Sequence, residues 1–281
     1  MDNRFDRSAE DIGNIVGLEH VNVLIPDQPT ATLFYISGLG LTRDPYMMPG
    51  VDNMWVNVGA SQFHLPTGSA QVLRGVTGLV IPGRPALLER LASVSMPLAG
   101  TQFSFKEQAD YVDTVSPWGN RLRIHEPGPT FGGMRLGMAY VEFDVPKGAA
   151  AGIASFYREV MDAPATAADG VAKVVSGANQ QLIFREKEGE LAAYDRHHIQ
   201  VYVADFSGPH RKLLDRSLVF EESNQYQYRF ETIVDPESNA PLFVIEHEVR
   251  SVSHPLYRRP LVNRNPEQSI RAYQPGRDAF W

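Results

Sequence analysis

The 281-residue chain contains no cysteine, which excludes disulfides, thiolate nucleophiles and Cys-ligated zinc. It has no long apolar run either; none approaches the roughly 20 residues of a membrane span. Met1 to Glu10 are polar and charged, without the pattern of a signal peptide. Basic residues are in deficit, with 26 Lys and Arg against 33 Asp and Glu and a formal net charge of −7. That balance argues against nucleic acid or anionic membrane as a partner, because both require clustered Lys and Arg. No Walker sequence, Gly-x-Ser-x-Gly or His-Glu-x-x-His is present. Gly38-Leu39-Gly40 lacks a third glycine and follows a helical pattern, so it is no dinucleotide loop. These absences leave a cytoplasmic protein with a small-molecule substrate as the expectation, as monomer or homodimer.

What is present is the composition of a folded chain, 43% hydrophobic and 21% charged, carrying an internal repeat of about 120 residues. Ala31-Thr32-Leu33-Phe34-Tyr35 returns as Ala154-Ser155-Phe156-Tyr157. Val115-Ser116-Pro117-Trp118-Gly119-Asn120 returns, more loosely, as Val234-Asp235-Pro236-Glu237-Ser238-Asn239. A period this long marks duplication of a whole domain. Each half divides again into a β-branched strand, a helix and further strands. Module one opens at Gly17–Ile25, with a helix to Ser37 expected to bury Leu33, Phe34 and Ile36. Module two has a strand at Val76–Ile81, a helix at Pro85–Ser93 and strands at Tyr111–Val115 and Arg121–His125. Module three runs from Gly137 to about Glu188 with a helix near Ala149–Met161. Module four spans His197 to Glu248. The expected fold class is therefore α+β: four βαβββ modules in two tandem halves, residues 1–130 and 131–250. Residues 251–281 should pack as an extended arm.

Gly17-Leu18-Glu19-His20-Val21-Asn22-Val23, followed by Phe34-Tyr35 and Gly38-Leu39-Gly40-Leu41, resembles the vicinal oxygen chelate superfamily, which includes glyoxalases, extradiol dioxygenases and antibiotic-resistance proteins. The resemblance covers about residues 15 to 250. It implies that paired modules curve into cup-shaped mixed sheets, with a divalent metal held by the first and last strands of each pair. On the first strands the corresponding positions are His20, Gly78, Tyr140 and His198. On the last strands they are His64, Arg123, Leu182 or Ile183, and Glu246. Joining modules one and four collects His20, His64, His198 and Glu246, a set suited to Fe(II), with Zn, Ni or Mn possible. Pairing within each half is the alternative. Glu248 has the same strand parity as Glu246, so either could point inward. The vacated positions Arg123 and Tyr140 imply a second cup without metal.

The resulting expectation is a metal-dependent enzyme that chelates two vicinal oxygens of a small substrate. A dioxygenase is favoured over a glyoxalase, because His64 stands where glyoxalases carry a glutamate. The competing reading is a metal-free binding or sequestration protein.

Overall fold

A computed structural model describes residues 5–47 and 49–278; Met1 to Arg4 and the last three residues of the expected arm lie outside them. Module one supplies β1 (Ile15–Asn22), β2 (Thr42–Arg43), β3 (Asn53–Val58) and β4 (Ser61–Pro66). Module two supplies β5 (Gly75–Val80), β6 (Ser104–Glu107), β7 (Tyr111–Val115) and β8 (Arg121–His125). Module three gives β9 (Gly137–Pro146), β10 (Ala165–Ala168), β11 (Val171–Gly177) and β12 (Gln180–Lys187). Module four gives β13 (His198–Val203), β14 (Val219–Asn224), β15 (Gln227–Val234) and β16 (Pro241–Ser251). One helix follows the first strand of each module: α1 (Gln28–Ala31), α2 (Arg84–Val94), α3 (Ala150–Glu159) and α4 (Ser207–Leu214).

The strands form two eight-stranded mixed sheets. The first runs β14-β15-β16-β13-β1-β4-β3-β2, and the second β10-β11-β12-β9-β5-β8-β7-β6. Module one thus pairs with module four and module two with module three. Each junction is antiparallel, β1 on β13 and β5 on β9. The first and last strands within each module lie parallel, as β1 with β4 and β13 with β16. The two halves of the sequence are interlocked, because each sheet takes a module from both.

The expected helix of module one changes geometry. After α1, which Asp27 caps by accepting from the Thr30 amide, residues Thr32–Gly38 widen into a π-helix. The Leu39 amide donates to the Phe34 carbonyl five residues back. The wider turn brings the adjacent Phe34 and Tyr35 both into the core, while Leu33 and Ile36 stay half-buried. A regular 3.6-residue period would instead have buried Leu33 and Ile36 more deeply.

A β-bulge recurs at matching positions in the two halves. In β1 the register passes from Leu18↔Val201 to His20↔Gln200, leaving Glu19 unpaired. In β9 it passes from Gly78↔Tyr140 to Leu79↔Met138, leaving Ala139 unpaired. A bulged residue breaks strict alternation, so Glu19 can reach the same face as His20.

Beyond β16 the arm forms turns, with no further strand or helix among the described residues, and it docks on module one. Asn263 donates to the Gly59 carbonyl and accepts from the Gly59 amide, at 2.8 and 3.0 Å. Asn57 donates to the Val262 carbonyl, and Arg259 pairs with the buried Asp44 at 2.5 Å. Among the described residues no helix is long and apolar enough to cross a membrane.

Candidate metal centre

Cross-strand partners share a face of a sheet, so the register of the first sheet defines what lines its concave side. One row reads Asn57, Gln62, His20, Gln200, Glu248 and Arg229. The neighbouring row, two residues along each strand, reads Trp55, His64, Asn22, His198 and Glu246. This face is polar almost throughout, yet Gln62 and Gln200 are fully buried and His20 is 1% exposed. A buried polar face without a ligand would be costly unless its groups satisfy one another.

Several do not. The His20 Nδ1–H donates to Glu19 Oε2 at 3.0 Å, while its Nε2 is buried without a hydrogen-bond partner. Neither amide atom of Gln200 has a partner. Ligand atoms of His20, His198 and Glu248 all lie within 4.8 Å of one another, the sole such cluster of three among the described residues. His198 Nε2 is 3.7 Å from Glu248 Oε2, and its Nδ1 is 3.6 Å from Glu246 Oε1. Burial, reinforced by the Arg250 and Arg229 charges, holds His20 well below the usual imidazole range. Burial, with Arg229 nearby, lowers His198 to about 3. Both rings are therefore neutral at physiological pH, the form that ligates a cation. The Glu19–His20 hydrogen bond is the kind that fixes a ligating ring's tautomer and leaves the other nitrogen's lone pair available.

His20 and His198 come together as the sequence implies, and their partner in the cluster is Glu248. Between β1 and β13 the two histidines are not opposite each other: Asn22 faces His198, and His20 faces Gln200. The carboxylate in the row of His20 is therefore Glu248, while Glu246 is level with His198 and outside the cluster. His64 also sits outside it. Its Nε2 bonds Gln62 Oε1 at 3.1 Å, and its ring lies between His20 and Trp55, with centroids 3.7 and 3.9 Å away. It serves as a wall for His20.

The arginines were not anticipated. Arg229 bonds both Glu246 and Glu248. Arg250 contacts Glu248 at 2.5 Å and Glu19 at 3.2 Å. Burial raises the Glu248 carboxyl despite these two cations. Arg229 and Arg250 do alternate in phase with the inward residues of β15 and β16. Nothing local, however, distinguishes an inward arginine from a surface one.

The second sheet carries a different set. Gly78 faces Tyr140 and Arg123, and a Cβ at Gly78 would stand 2.2 Å from the Tyr140 ring. The Tyr140 hydroxyl and His125 Nε2 are 3.0 Å apart, and Arg185 holds Glu142 through two bonds of 3.0 and 3.1 Å. A phenol ring fills the space that the missing glycine side chain leaves.

No family model matches the chain, and no curated protein matches its sequence. Solved structures do match. A putative dioxygenase from Bacillus subtilis subsp. subtilis str. 168 superposes with a TM-score of 0.58 at 17% identity, over 86% of each chain. Glyoxalase I from Zea mays superposes with a TM-score of 0.58 at 11% identity, over 88% of this chain and 95% of that one. Identity this low speaks for fold alone. On that ground the chain shares the tandem βαβββ fold of these two proteins.

Proposed function

We propose that the protein is a metal-dependent enzyme in which His20, His198 and Glu248 hold one divalent cation. The observations that carry this reading are the buried, unpartnered Nε2 of His20 and the convergence of one ligand atom each from His20, His198 and Glu248 within 4.8 Å of one another. Two neutral imidazoles and a carboxylate suit Fe(II), with Zn, Ni or Mn as alternatives. When bound, the cation would supply Lewis acidity and a template for two neighbouring substrate oxygens.

The protein's own residues would do the rest. Glu19 holds the His20 tautomer, the His64 ring restrains His20 from behind, and Gln200 offers an unused amide beside the cluster. A dioxygenase-like reaction is favoured over a glyoxalase-like one. A general base needs a carboxylate free to accept a proton, whereas Glu19, Glu246 and Glu248 on this face are all engaged by arginine.

Elemental analysis of protein purified without an affinity tag should give close to one divalent metal per chain. A content below about 0.2, with none taken up on addition, sinks the proposal. With Fe(II) restored, chelator-sensitive oxygen consumption on a vicinal diol is expected, and turnover of a 2-oxoaldehyde instead would assign the glyoxalase reaction.

A second reading has its own observation. Arg229 and Arg250 already neutralise Glu246 and Glu248, as they would in a metal-free pocket for a polar small molecule. Ligand-induced stabilisation indifferent to chelator supports that reading.

A further inference from the structure

A cleft of about 740 Å³, a size that fits a small organic molecule, reaches Glu19, the hydrogen-bond partner of His20. Its walls come from separate parts of the chain. Met134 and Leu136 belong to the linker between halves, and Leu256 and Leu261 to the C-terminal arm. Ala60 and Ala178 reach it from the exposed turns of the β3–β4 and β11–β12 hairpins. The lining is mainly apolar, which distinguishes it from the polar face carrying His20 and Glu248.

The cleft meets that face at two residues, Glu19 and Tyr202. Glu19 touches His20 directly. Tyr202 follows Gln200 on the same side of β13 and stands opposite Arg250. A molecule lying in the cleft would therefore meet the polar face at Glu19 and Tyr202, where Tyr257 of the arm packs against the Tyr202 ring.

We propose that the cleft holds the apolar body, alkyl or aryl, of the molecule whose oxygen-bearing end reaches His20, His198 and Glu248, with the C-terminal arm as its outer wall. The placement of the oxygen-bearing end rests on the metal-site reading, whereas the apolar preference of the cleft does not. The arm would then select substrates by the size of that body, a role separate from ligation.

Anaerobic calorimetry with 4-methylcatechol and 4-butylcatechol tests this on protein loaded with Zn(II), which prevents turnover. A fully buried methylene contributes about fourfold, so the three extra methylenes of the butyl compound give up to about 60-fold, and it should bind at least about tenfold more tightly even when partly buried. A60W and A178W, each placing an indole in the cleft from an exposed turn, should remove that advantage while leaving the affinity for 4-methylcatechol within about threefold. Thermal unfolding checks that both variants are folded. An advantage below about threefold in the unsubstituted protein, no binding of 4-butylcatechol, or an advantage that survives both substitutions overturns the proposal. Removing Zn(II) separates the two readings. If both catechols weaken alike, cleft and cluster both stand. If neither changes while the tail advantage persists, the cleft stands and the metal site falls.

Discussion

Neutral imidazole is the form a cation requires, and on this face burial enforces it. His20→Ala and Glu248→Gln should each reduce metal affinity at least about 100-fold by competition titration, and their combined effect should fall well short of additive. Glu246→Gln should cost far less, and equal losses at 246 and 248 would contradict the assignment of Glu248. Glu19→Gln, which weakens the hold on the His20 ring and removes the charge facing Arg250, should reduce affinity by about 10- to 100-fold. A separate prediction concerns His247, which points into the core from the strand that carries both glutamates. Its Nδ1–H donates to the Ile245 carbonyl, its Nε2 accepts from the Tyr157 hydroxyl at 2.6 Å, and burial lowers it to about 4. A depressed folded value means that the unfolded chain takes up the proton first. The stabilisation is thus complete above about pH 6.5 and is lost as pH falls toward 4. Urea unfolding should show roughly 2 kcal/mol more acid destabilisation between pH 7 and pH 5 in the native sequence than in His247→Gln.

Elements place these residues through bulges, turns and strand parity. The bulge at Glu19 puts two consecutive side chains on one face, the candidate ligand His20 and its hydrogen-bond partner Glu19. The β3–β4 turn has its own constraint. Gly59 has φ +66, and a Cβ there would lie 2.0 Å from the Leu136 carbonyl oxygen, where the hairpin packs on the linker between halves. Gly59→Ala should therefore cost roughly 2–4 kcal/mol, read as a lower urea midpoint with an unchanged slope. A loss below about 0.5 kcal/mol would show that this contact is not tight. The strands at 111–115 and 121–125 were fully legible from alternation. The helix of module one was not, because a π-turn alters which residues face inward without changing composition.

For the molecule as a whole, β1 and β13 lie about 180 residues apart and form one sheet, so neither half contains the candidate cluster. Residues 1–130 expressed alone should bind metal poorly, and co-expression with residues 131–281 should restore binding. Tight binding of one metal by the first half alone would refute a site shared between modules one and four. The arm spans β2, β3 and the β3–β4 turn through Arg264, Asn57 and Asn263. Truncation after residue 250 would strip Asp44 of Arg259 and expose these buried amides, lowering stability as well as opening the cleft.

The sequence by itself determined the four modules, their strand–helix–strands order and the inward parity of His20, His198 and the Glu246/Glu248 pair. These follow from local periodicity and from a repeat visible along one dimension. Tertiary structure alone decided which modules pair, because strand partners so distant in sequence leave no local signature. It also set Glu248, and not Glu246, beside His20. Parity admits both, and only the stagger of β13 against the bulged β1 puts Glu248 in the row of His20. The β15–β16 register set Arg229 on Glu246 and Glu248, and Arg250 meets Glu248 from two residues along the same strand.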